Sequence, residues 1–373
     1  MHQKVDILKK KRIIISGINM VEGGIFTILH NVLKEFSTYC NPTEIELIAL
    51  VPSKNGLEFP NIQYLEFPDS KKSWFKRLYY EYFYFKKLSQ ELQPDIWLSL
   101  HDTTPNVVTK KQFVYCHHPT TFFKPTWKDW QFDIKIGIFH LLYDYLFQYN
   151  IKKNHCVFVQ QHWIKDEFKK RFGLSNIKVT PPPFVEQLTE EKFTFESGKI
   201  HFLFPSFPRS FKNHEVILNA IPLLPDFIKE KVQFHFTTIK DNPSKYAQYL
   251  QTTYGHLTSV VFHPKVNRKQ LLAMYNSMDA LIFPSKIETW GLPISEAKAY
   301  HKPLLLANLP YAKEACGTYE LVSFFDATNP EELAHLITQF VDQTIVYTGN
   351  SVTFDSATEL KNWPAIFVYM LKA

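Results

Sequence analysis

Residues Leu281 to Pro303 read LIFPSKIETWGLPISEAKAYHKP, and this stretch decides how the chain folds. The apolar run Ala280 to Phe283 stops at Pro284-Ser285, so a buried strand ends there and a loop begins. The loop carries Glu288, Thr289, Trp290 and Gly291. Pro293 suits the first turn of a helix, where a missing N–H costs nothing, and the helix runs past Glu296 to about Tyr300. His301, Lys302 and Pro303 close it with cations and a breaker. A strand, a loop and a helix N-terminus in that order make a place where backbone N–H groups and the helix dipole hold an anion such as a diphosphate. Glu288 and Glu296 flank the place. Taken alone, the two carboxylates also read as a solvent-facing loop residue and a first-turn residue set for the dipole.

Outward from this stretch, the same strand-loop-helix rhythm repeats in both directions. Ile200–Phe204 is an apolar strand, followed by PSFPRSFKNH and a helix bearing Val216, Ile217, Ala220 and Ile221. Arg209 and Lys212 thus lie in a strand-to-helix loop. Guanidinium and ammonium are the usual partners of a diphosphate, the first as a fork and the second as a point charge. In a basic protein they also read as two ordinary surface cations. Val232–Thr237, Val260–His263, Leu304–Ala307 and Val322–Phe325 read as further strands. Helices are expected around Leu271–Met278, whose apolar stripe reads as core, and at Pro330–Val341.

Earlier in the chain, Lys11–Gly17 reads as a first parallel strand. Gly23-Gly24 follow, then a helix with Ile25, Ile28, Leu29, Val32, Leu33 and Phe36 at 3.6 spacing. A glycine pair before a helix allows close approach of the backbone to a ligand, or forms a tight turn only. Strands are expected at Glu46–Val51, Gln63–Phe67, Asp95–Leu100, Gln112–Cys116, Cys156–Gln160 and within Asn176–Phe184, which runs into three prolines that read as an interdomain connector. His117 and His118 follow the strand Gln112–Cys116, at the carboxyl end where open α/β sheets bind ligands. The histidines at 101, 117 and 118 have no carboxylate or thiol partner at ligand spacing, so no metal is expected. The expected fold class is α/β: two Rossmann-like, doubly wound parallel-sheet domains.

The Glu-x7-Glu spacing around Gly291-Leu292-Pro293 resembles the signature of the retaining GT-B glycosyltransferases of family 4. The resemblance covers most of the chain and is strongest in Phe202–Ser295. It implies two domains facing a cleft: an acceptor-binding domain over 1–184, a nucleotide-sugar-binding domain over 185–356, and a helix over 357–373 that crosses back to the first. It implies that Glu288 reaches the donor sugar, that Glu296 binds the ribose, and that Arg209 and Lys212 neutralise the diphosphate. Gly291, Leu292, Pro293 and Thr289 then belong to the donor site. Gly23-Gly24 face donor and acceptor, and the strand-end His117 contacts the sugar with His118 beside it. The chain departs from the family pattern in several places. Pro208 and Asn213 replace glycines around Arg209 and Lys212, the gap between those cations is short, and Thr289-Trp290 stand where Gly and Phe are usual. No D-x-D occurs, so no metal and no other cofactor is expected.

The expected activity is transfer of a sugar from a nucleotide-diphosphate donor to a glycan or lipid-linked saccharide acceptor in cell-surface polysaccharide synthesis. A catalytically silent nucleotide-sugar-binding protein, or a GT-B-fold epimerase or phosphorylase, would share the architecture. A NAD-dependent oxidoreductase is disfavoured, because no G-x-G-x-x-G opens either domain.

Composition agrees with this frame. At 373 residues two cores are expected. Gly is scarce at 11, so each glycine at a turn is more significant than usual. A net charge of +6 suits nucleotides or an anionic membrane, but is too diffuse for nucleic acid. The four cysteines have no paired spacing and read as thiols of a reducing compartment. No apolar run of roughly 18 residues exists and no signal peptide is apparent, so a cytoplasmic protein is expected. Lys71–Leu88 (KKSWFKRLYYEYFYFKKL) mixes basic and aromatic residues. It reads either as an interfacial helix on an anionic membrane or as an aromatic helix packed on the sheet, its lysine stems snorkelling.

Overall fold

The computed structural model describes residues 10–21, 23–118, 120–132, 145–183, 187–352, 354 and 359–373. Residues 1–9, the middle of the aromatic-rich stretch Phe122–Tyr149, which from sequence reads as an acceptor-groove lining or as core, and the expected domain boundaries near 184 and 356 lie outside them. The chain forms two compact units: one of Met1–His118, Tyr143–Pro183 and Asp355–Ala373, the other of Pro119–Leu142 and Phe184–Phe354.

The first unit is built on seven parallel strands, β1 (Lys11–Ser16), β2 (Ile45–Val51), β3 (Ile62–Glu66), β4 (Ile96–Ser99), β5 (Lys111–Cys116), β6 (Cys156–Val159) and β7 (Ile177–Val179). Their order is β3-β2-β1-β4-β5-β6-β7. The strands fall within a residue or two of the sequence expectation, because runs such as Ile13–Ile15 are buried on both faces and leave no alternative to a central parallel strand. Helix α1 (Gly23–Tyr39) starts on the glycine pair itself rather than after it. Helices α2 (Trp74–Tyr79) and α3 (Phe85–Leu92) are joined by a π-helical turn at Tyr80–Tyr84. Helix α4 (Trp127–Phe132) clusters with the second unit, and α5 (His162–Phe172) returns to the first.

The second sheet has six parallel strands, β8 (Ile200–Phe204), β9 (Val232–Phe236), β10 (Val260–Phe262), β11 (Ala280–Phe283), β12 (Leu304–Ala307) and β13 (Val322–Phe325), in the order β10-β9-β8-β11-β12-β13. Between them run α6 (His214–Ala220), α7 (Asp226–Lys229), α8 (Lys245–Tyr254), α9 (Arg268–Ser277), α10 (Leu292–Ala299), α11 (Pro310–Cys316) and α12 (Pro330–Val341). In each sheet the order reverses beside the first strand, between β1 and β4 and between β8 and β11. Crevices at such reversals, outside the carboxyl ends of the strands, are where open α/β sheets bind ligands.

The last helix, α13 (Trp363–Lys372), belongs to the first unit. Trp363, Ile366, Phe367 and Met370 recur at helical spacing and are all buried in that unit's core. Phe367 lies 4.7 Å from the Phe36 ring of α1, and Trp363 lies 5.1 Å from Tyr115 of β5. Each such side chain removed from water contributes about 1.5–3 kcal/mol. The terminus is therefore an integral part of the first unit.

Candidate active site

In the second unit the loops after β8 and β11 flank the reversal, and they carry the residues singled out from sequence. The β8 loop ends in a 3-10 turn, Ser210–Lys212, followed by Asn213 at φ 62°. This explains the departure from the family pattern. A left-handed residue is required there, and asparagine is one of the few non-glycine residues that tolerates one. Its side chain adds what glycine lacks: Asn213 Nδ2 donates to the carbonyls of Pro284 at 3.1 Å and Ala327 at 2.8 Å. The Lys286 N–H also donates to the Phe211 carbonyl at 2.8 Å. The loops after β8 and β11 are thus joined by one backbone–backbone bond and by the Asn213 side chain.

That stitching brings Lys212 onto Glu288. The Lys212 ammonium is hydrogen-bonded to Glu288 Oε1, and both side chains are largely buried. Behind them the Tyr311 hydroxyl donates to the Ser285 carbonyl at 2.6 Å. Burial, with the Glu288 charge nearby, pushes the Tyr311 phenol well up, so it stays a neutral donor that fixes the loop. Gly291 then takes φ 86°, in the left-handed region where L side chains are strained. A Cβ there would also come within 3.1 Å of Ile294 Cδ1 and 3.4 Å of Phe283 Cε1. Helix α10 starts at Leu292, with Pro293 in its first turn, and the Ile294 N–H closes on the Gly291 carbonyl at 2.8 Å. Trp290 Nε1 donates to Ser295 Oγ at 3.0 Å, which turns the indole back onto the helix. Thr289 is half-buried beside it.

One turn into α10, Glu296 is buried and bonded to the Arg268 guanidinium. Arg268 opens α9, where a capping box between Asn267 and Gln270 fixes the helix start. Sequence reasoning missed Arg268. The capping pattern was legible, but nothing in one dimension ties residue 268 to residue 296. Arg209 is exposed at the head of the Ser210–Lys212 turn. Glu288, Glu296, Lys212, Arg268, Arg209 and Gly291 therefore share one region of one unit. Carboxylates beside cations at a sheet reversal can bind sugar and ribose hydroxyls through the former and phosphate through the latter.

The remaining expected residues lie in the first unit, at the carboxyl ends of its strands. Gly23 and Gly24 form the first turn of α1, and a Cβ on Gly24 would meet no atom within 4 Å. His117 and His118 follow β5. Their backbone N–H groups both donate to Asp102 Oδ1, at 2.6 and 3.0 Å, and His117 Nε2 lies 3.8 Å from Asp102 Oδ2. Burial lowers the His118 pKa, partly opposed by the Asp102 charge. Asp102 follows β4 and was not singled out from sequence.

The Lys71–Leu88 stretch divides its basic residues. Arg77 turns inward to the fully buried Glu81 at 2.6 Å and to the His101 carbonyl at 2.9 Å. Burial alone would raise Glu81, but Arg77, His101 and Thr103 outweigh it and hold the carboxyl below its usual range. Lys72 and Lys76 both reach Asp69. Outward, Phe75, Tyr79 and Phe83 form an aromatic stripe exposed to 78%, 56% and 70%. Among the described residues no cluster of metal-ligating side chains is found, and no helix is long and apolar enough to cross a membrane. All four cysteines are buried and free.

Comparison with known proteins bears on the fold. No curated protein sequence matches the chain. Residues 186–348 match the family described as Glycosyl transferases group 1. Among solved structures, sucrose-phosphate synthase from Thermosynechococcus elongatus superposes with a TM-score of 0.65 at 11% identity, covering 97% of this chain and 98% of that one. HepE of Anabaena in complex with UDP-glucose gives 0.60 at 14% identity, covering 89% and 90%. WaaG, a glycosyltransferase involved in lipopolysaccharide biosynthesis, gives 0.63 at 13% identity, covering 89% and 92%. By these likenesses residues 186–348 are similar to the group 1 glycosyl transferases, and the chain as a whole has the GT-B fold.

Proposed function

We propose that the protein is a retaining, metal-independent glycosyltransferase of family 4. It moves a sugar from a nucleoside-diphosphate donor to a glycan or lipid-linked saccharide in cell-surface polysaccharide synthesis. The observation that carries this reading is a set of two carboxylate–cation pairs, Lys212–Glu288 between the loops after β8 and β11 and Arg268–Glu296 between the start of α9 and the helix that follows the β11 loop. Rupture of the anomeric bond leaves negative charge on the β-phosphate and positive character on the sugar. Fixed cations and N–H groups stabilise the first, and a carboxylate stabilises the second. Lys212 and Arg209 take the diphosphate, Glu288 the sugar, and Glu296 the ribose hydroxyls. The description of HepE with UDP-glucose supports a nucleotide sugar, and that of WaaG a cell-surface glycan. The aromatic stripe Phe75–Tyr79–Phe83, with lysines beside it, supports peripheral contact with an anionic membrane at its cytoplasmic face.

The test is calorimetric titration of UDP, GDP, CDP and ADP with EDTA present, on the native protein and on Arg209→Ala. Binding of one diphosphate, weakened by the substitution, is the expected result. Binding that needs a divalent ion, or no binding, rejects the metal-free donor site.

A further inference from the structure

We infer that Asp102 is a positioning residue that sets the tautomer and the seat of His117, so that His117 Nδ1 is left as the acceptor for a sugar hydroxyl. This rests on the reading that His117 serves the sugar. Three observations carry it. First, Asp102 is held at φ 70°, although it is neither glycine nor in a hairpin turn. Aspartate is one of the few residues besides Gly that takes such a φ, and taking it here fixes the direction in which its side chain leaves the strand end. Second, the constraint aims a buried carboxylate at one loop. Asp102 is 3% exposed, and its Oδ1 accepts from the N–H groups of both His117 and His118. Two charge-assisted bonds to consecutive amides fix the chain where it leaves β5. Third, the other oxygen of the same carboxylate faces the His117 ring at Nε2, while Nδ1 is shielded from solvent and has no hydrogen-bond partner.

The tautomer follows from the charges. A carboxylate 3.8 Å from Nε2 favours a hydrogen on that nitrogen. The neutral ring then carries its lone pair on Nδ1. A buried acceptor without a donor is costly, so its persistence points to a hydroxyl that arrives with a ligand. The groups packed around Asp102 leave it in this role. Its backbone carbonyl accepts from Cys116 Sγ at 3.6 Å, and its neighbour His101 is engaged by Ser16, Thr103 and Glu81.

The experiment is 15N NMR of the histidine-labelled full chain, with the His117 signals assigned by difference against His117→Gln, alongside turnover of UDP-glucose. The expected wild-type result is a His117 ring protonated on Nε2. Asp102→Asn keeps an oxygen for the two N–H groups but loses the charge. It should give a mixed tautomer and lower kcat about 10²-fold, with KM for the donor within about twofold. A wild-type ring protonated on Nδ1 overturns the inference without recourse to any variant. So does an Asp102→Asn protein with native tautomer and native turnover when His117→Ala is crippled. Full turnover by His117→Ala instead removes the premise that His117 serves the sugar, which is a separate failure.

Discussion

The ammonium of Lys212 is bound to the carboxylate of Glu288, 76 residues further along the chain. The pair neutralises the two groups that the proposed reaction needs in opposite roles. In the proposed reaction a diphosphate at Lys212 would replace Glu288 as its counter-ion and free that carboxylate for the sugar. Glu288→Gln keeps the shape and removes the charge. Nucleoside-diphosphate affinity should stay within a few-fold, or rise, while transfer falls about 10²–10³-fold, the usual cost of losing one transition-state contact. Calorimetry and initial rates measure the two separately, and an unchanged rate would remove Glu288 from the chemistry.

Arg268 holds Glu296 in the same manner, at the proposed ribose position. Glu296→Gln should weaken binding of the ribonucleotide about tenfold, and of its 2′,3′-dideoxy counterpart hardly at all, because only the first has hydroxyls for the carboxylate. Equal losses for both nucleotides would reject the ribose assignment.

Asn213 gives a purely structural test. Asn213→Gly keeps the left-handed backbone but loses two hydrogen bonds, whereas Asn213→Ala loses both advantages. The alanine variant should be less stable than the glycine variant by roughly 1 kcal/mol, and both less stable than the native chain. Thermal unfolding reads the order. Alanine as stable as glycine would mean that the positive φ is not needed.

Three histidines form a ladder across the second sheet, and it dictates a pH response. His201 Nδ1 lies 3.0 Å from His235 Nε2, and His235 Nδ1 lies 2.9 Å from His263 Nε2. Burial, with the charges of His263 and His201, lowers His235 to about 3, and burial lowers His263. The folded state therefore resists protons that the unfolded chain accepts near 6.5. Stability should be flat above that pH and fall as pH drops below it, by up to about 1.4 kcal/mol per unit for each such histidine. His235→Phe should flatten the slope below pH 6.5 in a melting-temperature series. An unaltered slope would assign the acid sensitivity elsewhere, with the buried His101 and His214, lowered to about 4 and about 3, next in line.

Membrane contact has its own assay. Replacing Phe75, Tyr79 and Phe83 together by Ser should abolish co-sedimentation with phosphatidylglycerol vesicles while leaving the melting temperature within a few degrees, since all three rings face solvent. Retained partitioning would show that the stripe is not the contact.

Much of this protein is written locally. Long apolar runs such as Ile13–Ile15 and Leu281–Phe283 can only be central strands, and their alternation with helical periods dictates two doubly wound sheets. The loop Glu288–Pro293 and the cations Arg209 and Lys212 were legible because strand ends, glycine and proline mark where such loops fall. The partnerships were not. That Lys212 meets Glu288, that Arg268 meets Glu296 and that Asp102 binds the amides after β5 depend on which strands lie side by side, which is long-range packing. The basic residues of Lys71–Leu88 show the same division. Composition displays six cations alike, but a π turn and a buried Glu81 draw Arg77 inward and leave the aromatic stripe outside. Local chemistry determined the elements and their loops. Charge pairing across the sheets, which no local pattern encodes, decided what each functional side chain faces.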